Sequence, residues 1–130
     1  MTPPAPRQEL GAAGEAAVAR RYEADGFVVL DRNWRDGRRG EIDLVLGRGP
    51  SGGGGLVVVC EVKTRRGSAY GDGAEAVDRV KQARLRRLAM AWVAAQRDEV
   101  GWVDLRIDVA VVRWPVRSAA PEIEIIENAC

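Results

Sequence analysis

The chain has 130 residues, with 20 Lys plus Arg against 19 Asp plus Glu and a formal net charge of +1. That length fits one domain able to bury a core without metal or disulfide staples. The balanced charge excludes a polycation, so any nucleic-acid binding has to come from local patches.

No histidine occurs, which removes the usual zinc sites, histidine bases and Ser-His-Asp triads. The opening MTPPAPRQEL lacks the apolar stretch of a signal peptide. No apolar run approaches the roughly 20 residues of a membrane span. Cys60 and Cys130 read as reduced thiols. The expected setting is the cytoplasm, with no membrane partner.

Residues 1–6 are expected to form a disordered tail ahead of a single domain over 7–130. A helix is predicted from Arg7 to Asp25, with Leu10, Gly14, Ala17, Val18, Arg21 and Tyr22 at helical spacing and Gly26 as its stop. FVVLDRNW reads as a strand. The turn RDGRRG leads into EIDLVL, a second strand from Glu41. GRGPSGGGG is a flexible loop closing a hairpin onto LVVVCEVKT, residues 56–64. Its glycines are consecutive and no GK[ST] follows, so it is not a phosphate cradle. RRGSAYGDGAEAV is read as irregular and mobile. A second helix follows from Asp78 to Arg97, burying Leu85, Leu88, Ala89 and Trp92. VDLRIDVAVV then alternates as a strand, with Val103, Leu105, Ile107, Val109 and Val111 on one face, and EIEIIEN is a final short strand. The order is α-β-β-β-α-β-β, an α/β protein with a mixed central sheet and flanking helices.

Strand side chains alternate with period two. In the third strand Val57, Val59, Glu61 and Lys63 share one face, and Leu56, Val58, Cys60 and Val62 the other. Both faces are largely apolar, as expected of a central, covered strand. Burying Glu61 and Lys63 there is costly unless the face opens to a cleft at that strand end. In the second strand Glu41, Asp43 and Val45 are expected on one face, opposite Ile42, Leu44 and Leu46. In a hairpin Asp43 and Glu61 then sit side by side and repel. A divalent cation removes that conflict, and Mg²⁺ commonly uses one or two carboxylates plus substrate phosphate. A lysine beside it can orient the attacking water or stabilise charge on the phosphate. Against this stands the bland alternative, a solvated Glu-Lys pair of little consequence.

The acid, spacer, E-x-K pattern on a hairpin resembles the PD-(D/E)XK nuclease superfamily, the restriction-endonuclease-like fold. Within it, GxxGE (Gly11 to Glu15), RNWR, GEIDLV, EVKTRR, AEAVD and the final IEN resemble the YraN-type family of small uncharacterised bacterial proteins. That family is related in fold to archaeal Holliday-junction resolvases. The resemblance runs from about Gln8 to Asn128. It implies a Mg²⁺- or Mn²⁺-dependent endonuclease acting on structured or branched DNA and, by analogy with junction nucleases of this fold, a homodimer. By position it implies Asp43 and Glu61 as metal ligands, the Val62 carbonyl as a further ligand, Lys63 as the catalytic lysine and Glu15 as an assisting acid from the first helix. The helical wheel permits the last, since Glu15 lies about 60° beyond Val18. Glu41 reads either as a supporting acid or as a residue flanking the turn, and Asp108 as a structural partner of a basic neighbour. The chain departs from the pattern in lacking the superfamily's proline, and the histidine and phenylalanine that many relatives carry at the C-terminus.

Arg38 and Arg39 precede Asp43, Arg65 and Arg66 follow Lys63, and Lys81 lies in the first turn of the second helix. These five are the expected phosphate contacts, giving affinity and salt dependence without sequence readout. Arg79, Arg84, Arg86 and Arg87 of that helix are expected mostly on its solvated side. Tyr70 is available to stack on a base, or equally to pack. Two alternatives stay open: a non-catalytic nucleic-acid-binding or complex-forming module that keeps the fold, and a nuclease acting on RNA.

Overall fold

The computed structural model describes residues 7–50, 55–66, 78–96, 104–115 and 120–129. The expectations for the 1–6 tail, the glycines at 52–54, the 67–77 stretch with Tyr70, Arg97, Val103 and Cys130 fall outside that set, as does the Arg66 side chain.

The elements are α1 (Arg7–Ala24), β1 (Val28–Arg35), β2 (Glu41–Arg48), β3 (Leu56–Arg66), α2 (Arg79–Ala95), β4 (Asp104–Trp114) and β5 (Glu122–Ile126). The expected α-β-β-β-α-β-β order holds. The strands form one sheet in the order β1-β2-β3-β4-β5. β3 and β4 pair in parallel across the α2 crossover, and the other pairs are antiparallel. This is the mixed sheet with flanking helices expected of a restriction-endonuclease-like core.

β3 is central and apolar on both faces because each face is covered by a helix. Val57 and Val59 join Ile107, Val109 and Val111 of β4 beneath Leu85, Leu88, Ala89 and Trp92 of α2. Val58 and Cys60 join Leu44, Leu46, Ala110 and Val112 beneath Val18, Ala19 and Tyr22 of α1. Each fully buried Leu or Val there stabilises the fold by about 1.5–3 kcal/mol. Arg21, expected on the apolar stripe of α1, is solvent-exposed in the helix's last turn, where its charge complements the free carbonyls. α2 begins where expected because Asp78 caps it, its side chain accepting the Lys81 N–H at 2.9 Å.

One expectation about β2 fails. Ile42 packs with Val45 on the α2 side, whereas Leu44 and Leu46 pack on the α1 side. Alternation is therefore broken at Asp43. The partner strand breaks at the same place. Asn33 lies between the pairs Arg32↔Leu44 and Trp34↔Ile42, and its backbone is left-handed, with φ 50°. Asn tolerates this region better than most side chains because it is short and bonds locally. Asp31 and Trp34, three residues apart, both serve the α2 side: Asp31 accepts the Trp92 indole N–H at 3.1 Å and Trp34 packs on that cluster.

Candidate active site at the mouth of the β2–β3 hairpin

The β2–β3 ladder runs from Arg48↔Leu56 to Leu44↔Cys60 and goes no further, while β3 continues along β4 to Arg66↔Trp114. The next residues in register, Asp43 and Glu61, face each other where the strands part. The parting exposes an edge N–H of β3, and Asp43 takes it up: Val62 N donates to Asp43 Oδ2 at 2.8 Å. Val62 thus enters the site through its amide.

Asp43 lies close enough to Glu15 of α1 for the two carboxyl groups to shift each other's titration. Glu61 points toward α2. Its Oε1 lies 3.2 Å from Lys63 Nζ and 3.8 Å from an Arg84 guanidinium nitrogen. The two acids therefore meet at the strand gap, each with partners of its own. Burial pushes the Asp43 carboxyl up to about 7; the Val62 amide opposes the rise, and the charges of Glu61, Glu15 and Glu41 add to it. Glu15 is likewise raised, first by burial and then by Glu41.

Of the expected site residues, Asp43, Glu61, Val62, Lys63 and Glu15 converge on this mouth. Glu41 pairs with Arg35 at 3.1 Å, so it flanks the turn, yet it still adds to the local negative charge. Lys81 is half-buried in the first turn of α2, and Arg65 and Arg38 are solvent-exposed. Arg39 lies 3.8 Å from Asp36 and lines a groove with Arg86 and Arg87 on the outside of α2.

Two members escaped the sequence reading. Arg84, placed among solvated cations, turns inward to Glu61, and its Nε is buried without a hydrogen-bond partner. The signal was its spacing, three residues after Lys81 and four before Leu88, on the stripe side of the helix. Asn33 bridges two acids: with its amide nitrogen turned toward the acceptors around it, it donates to Glu41 Oε1 at 2.9 Å and Glu15 Oε2 at 3.3 Å. A left-handed asparagine has no period-two signature, so nothing short of the fold reveals it.

Among the described residues no group of three or more Cys, Asp or Glu side chains is arranged to hold a metal ion. Mg²⁺ asks for less, since it keeps several waters and often binds through one or two carboxylates. Asp43 and Glu61 supply two such carboxylates, and although burial is the main reason the Asp43 carboxyl is raised, the neighbouring acids add to it.

Fold and site together define a mixed α/β protein whose titratable cluster sits at a hairpin mouth. The chain matches the model of the Uncharacterised protein family UPF0102 over residues 14–112 and belongs to that family. A UPF0102 protein of Clavibacter michiganensis subsp. michiganensis is 45% identical over 95% of this chain and 97% of its own length. One from a Nocardioides species is 47% identical over 88% of this chain and 86% of its own. A third, from Streptomyces coelicolor, is 44% identical over 91% and 85%. No described helix is long and apolar enough to cross a membrane.

Proposed function

We propose that this protein is a Mg²⁺- or Mn²⁺-dependent endonuclease of the PD-(D/E)XK type, hydrolysing phosphodiester bonds in structured or branched DNA. The observation that carries the proposal is the facing pair Asp43 and Glu61 at the parting of β2 and β3, with Lys63 3.2 Å from Glu61. Asp43 satisfies the Val62 N–H there, but the fold needs no second acid beside it. A phosphodiesterase needs that arrangement.

Asp43 and Glu61 would hold the cation, with the Val62 carbonyl beside them. The cation supplies Lewis-acid charge at the phosphate. Lys63 orients the attacking water or neutralises charge developing on the phosphate. Glu15, close to Asp43, adds a second acid to the site and serves as a proton acceptor. Arg65 and Arg66 end β3, Lys81 lies in the first turn of α2 and Arg38 in the turn that leads into β2, and these four serve as phosphate contacts. Cutting both strands of a junction calls for two such sites, hence a homodimer.

A second reading has an observation of its own. Glu61 already faces two cations, Lys63 and Arg84, so its charge is balanced without metal. That favours a non-catalytic nucleic-acid-binding module.

A cleavage assay separates the two, using a four-way junction, a flap, and single- and double-stranded DNA with Mg²⁺ or Mn²⁺. EDTA and Lys63→Ala are the controls. Metal-dependent cutting lost in Lys63→Ala is the expected result. No cutting of any substrate, with binding unchanged in the variant, would sink the nuclease and leave the binding module.

A further inference from the structure

The densest positive charge lies on α2, whose inner side borders the hairpin mouth. Arg79, Lys81, Arg84, Arg86 and Arg87 fall within Arg79–Ala95, and that span contains no acid. This is a large excess for a chain whose total is +1. On the outer side of the helix, Arg86, Arg87, Met90 and Ala91 line a groove of about 450 Å³, and the β1–β2 turn adds Arg39 from the other side. Arg86 and Arg87 are exposed and make no ion pair among the described residues. Met90 is 60% exposed, so the groove also offers an apolar wall.

We propose that this groove is a second phosphate track, which takes the backbone of a DNA duplex flanking the cleavage site. The chemistry fits. Guanidinium groups grip phosphate oxygens in pairs, and clustered arginines without carboxylates attract a polyanion. The placement fits as well. Arg84, one helical turn before Arg87, pairs with Glu61, so DNA whose backbone reaches the carboxylates runs its flank along α2. In this respect the track rests on the nuclease reading. It assigns Arg39 to the flank rather than to the scissile phosphate and gives Arg86 and Arg87 a role beyond solubility.

The test is binding of a labelled DNA duplex by fluorescence anisotropy in EDTA, over a series of salt concentrations. Each neutralised phosphate contributes about 0.9 to the slope of log affinity against log salt. Arg86→Ala/Arg87→Ala should therefore lower that slope by about 1.8 and weaken binding about tenfold. Arg20→Ala/Arg21→Ala removes the same charge from exposed positions on α1, across the sheet, and should leave the slope unchanged. An unchanged slope in the α2 variant would overturn the track, as would an equal loss in the α1 variant. Competition by poly-glutamate as effective as that by DNA would make the groove an acidic-polypeptide site instead. Should the alanine pair unfold, Arg86→Gln/Arg87→Gln carries the same expectations. Because binding is read without metal, the two proposals fail separately. A normal slope change with no cleavage removes the nuclease alone, and cleavage with no slope change removes the track alone.

Discussion

Gly14 of α1 rests directly on Thr64 of β3: a Cβ at Gly14 would run into the Thr64 hydroxyl. Each is next in sequence to a site residue, Glu15 on one side and Lys63 on the other. The absence of a side chain at Gly14 is what lets α1 come down far enough for Glu15 to reach Asp43.

Gly14→Ala is accordingly expected to destabilise the protein despite alanine's better helix propensity. Overpacking costs about 1–3 kcal/mol and the propensity gain returns up to about 1. Urea unfolding gives the net value. Thr64→Ala in the same chain should recover part of the loss. Strict additivity of the two would mean that they do not touch.

A second prediction concerns the buried carboxylate under α1. Asp108 is fully buried and accepts the Tyr22 hydroxyl at 2.6 Å, two Arg106 nitrogens at 2.9 Å each and the Asn128 amide at 3.0 Å. Tyr22→Phe deletes one of these donors and should cost about 1–3 kcal/mol. Arg106→Ala leaves the charge without its cation and should cost about 3–5 kcal/mol. Denaturant midpoints followed by tryptophan fluorescence will rank them, and the reverse order would mean that Arg106 contributes little.

The acidic cluster gives a pH dependence whose sign follows from burial. Folding raises the Asp43 carboxyl from 3.8 to about 7, so the folded chain prefers it protonated. Its stabilising contribution is complete below about pH 4 and is lost as pH rises through 7. The metal-free protein should therefore lose on the order of 4 kcal/mol over that window, and Asp43→Asn should flatten the loss. A curve equally steep in the variant would assign the effect to another group.

Metal binding gives the fourth prediction. On the proposed metal reading, Arg84, 3.8 Å from the Glu61 carboxylate, would compete with the cation for it. Arg84→Met should tighten Mn²⁺ binding by about fivefold, the scale of a partly exposed charge pair, whereas Asp43→Asn should weaken it by more than tenfold. Titration calorimetry reads both. Weaker binding in Arg84→Met would show that the arginine holds Glu61 in place rather than competing for it.

Elements with an unbroken period were legible in the sequence: the two-faced apolar run of β3, the buried stripe of α2, the alternation of β4 and the hairpin that opposes Asp43 to Glu61. The rule failed at Asn33 and Asp43, where both strands lose their alternation while the pairing register holds, and Ile42 lands on the face opposite the expected one. Tyr22, Arg106 and Asp108 show another limit. A basic partner for Asp108 was foreseeable at spacing two, but Tyr22 reaches it only through the docking of α1, which no local pattern encodes.

The topology also bears on the order in which the molecule is made. β1, β2 and β3 follow one another as neighbours, so their pairing closes only short loops, whereas the parallel partner of β3 arrives only after the whole α2 crossover. Long loops are slower to close and cost more entropy. A chain emerging from the ribosome can thus bring Asp43 and Glu61 together in its first half, before α2 has docked and Arg84 can pair with Glu61.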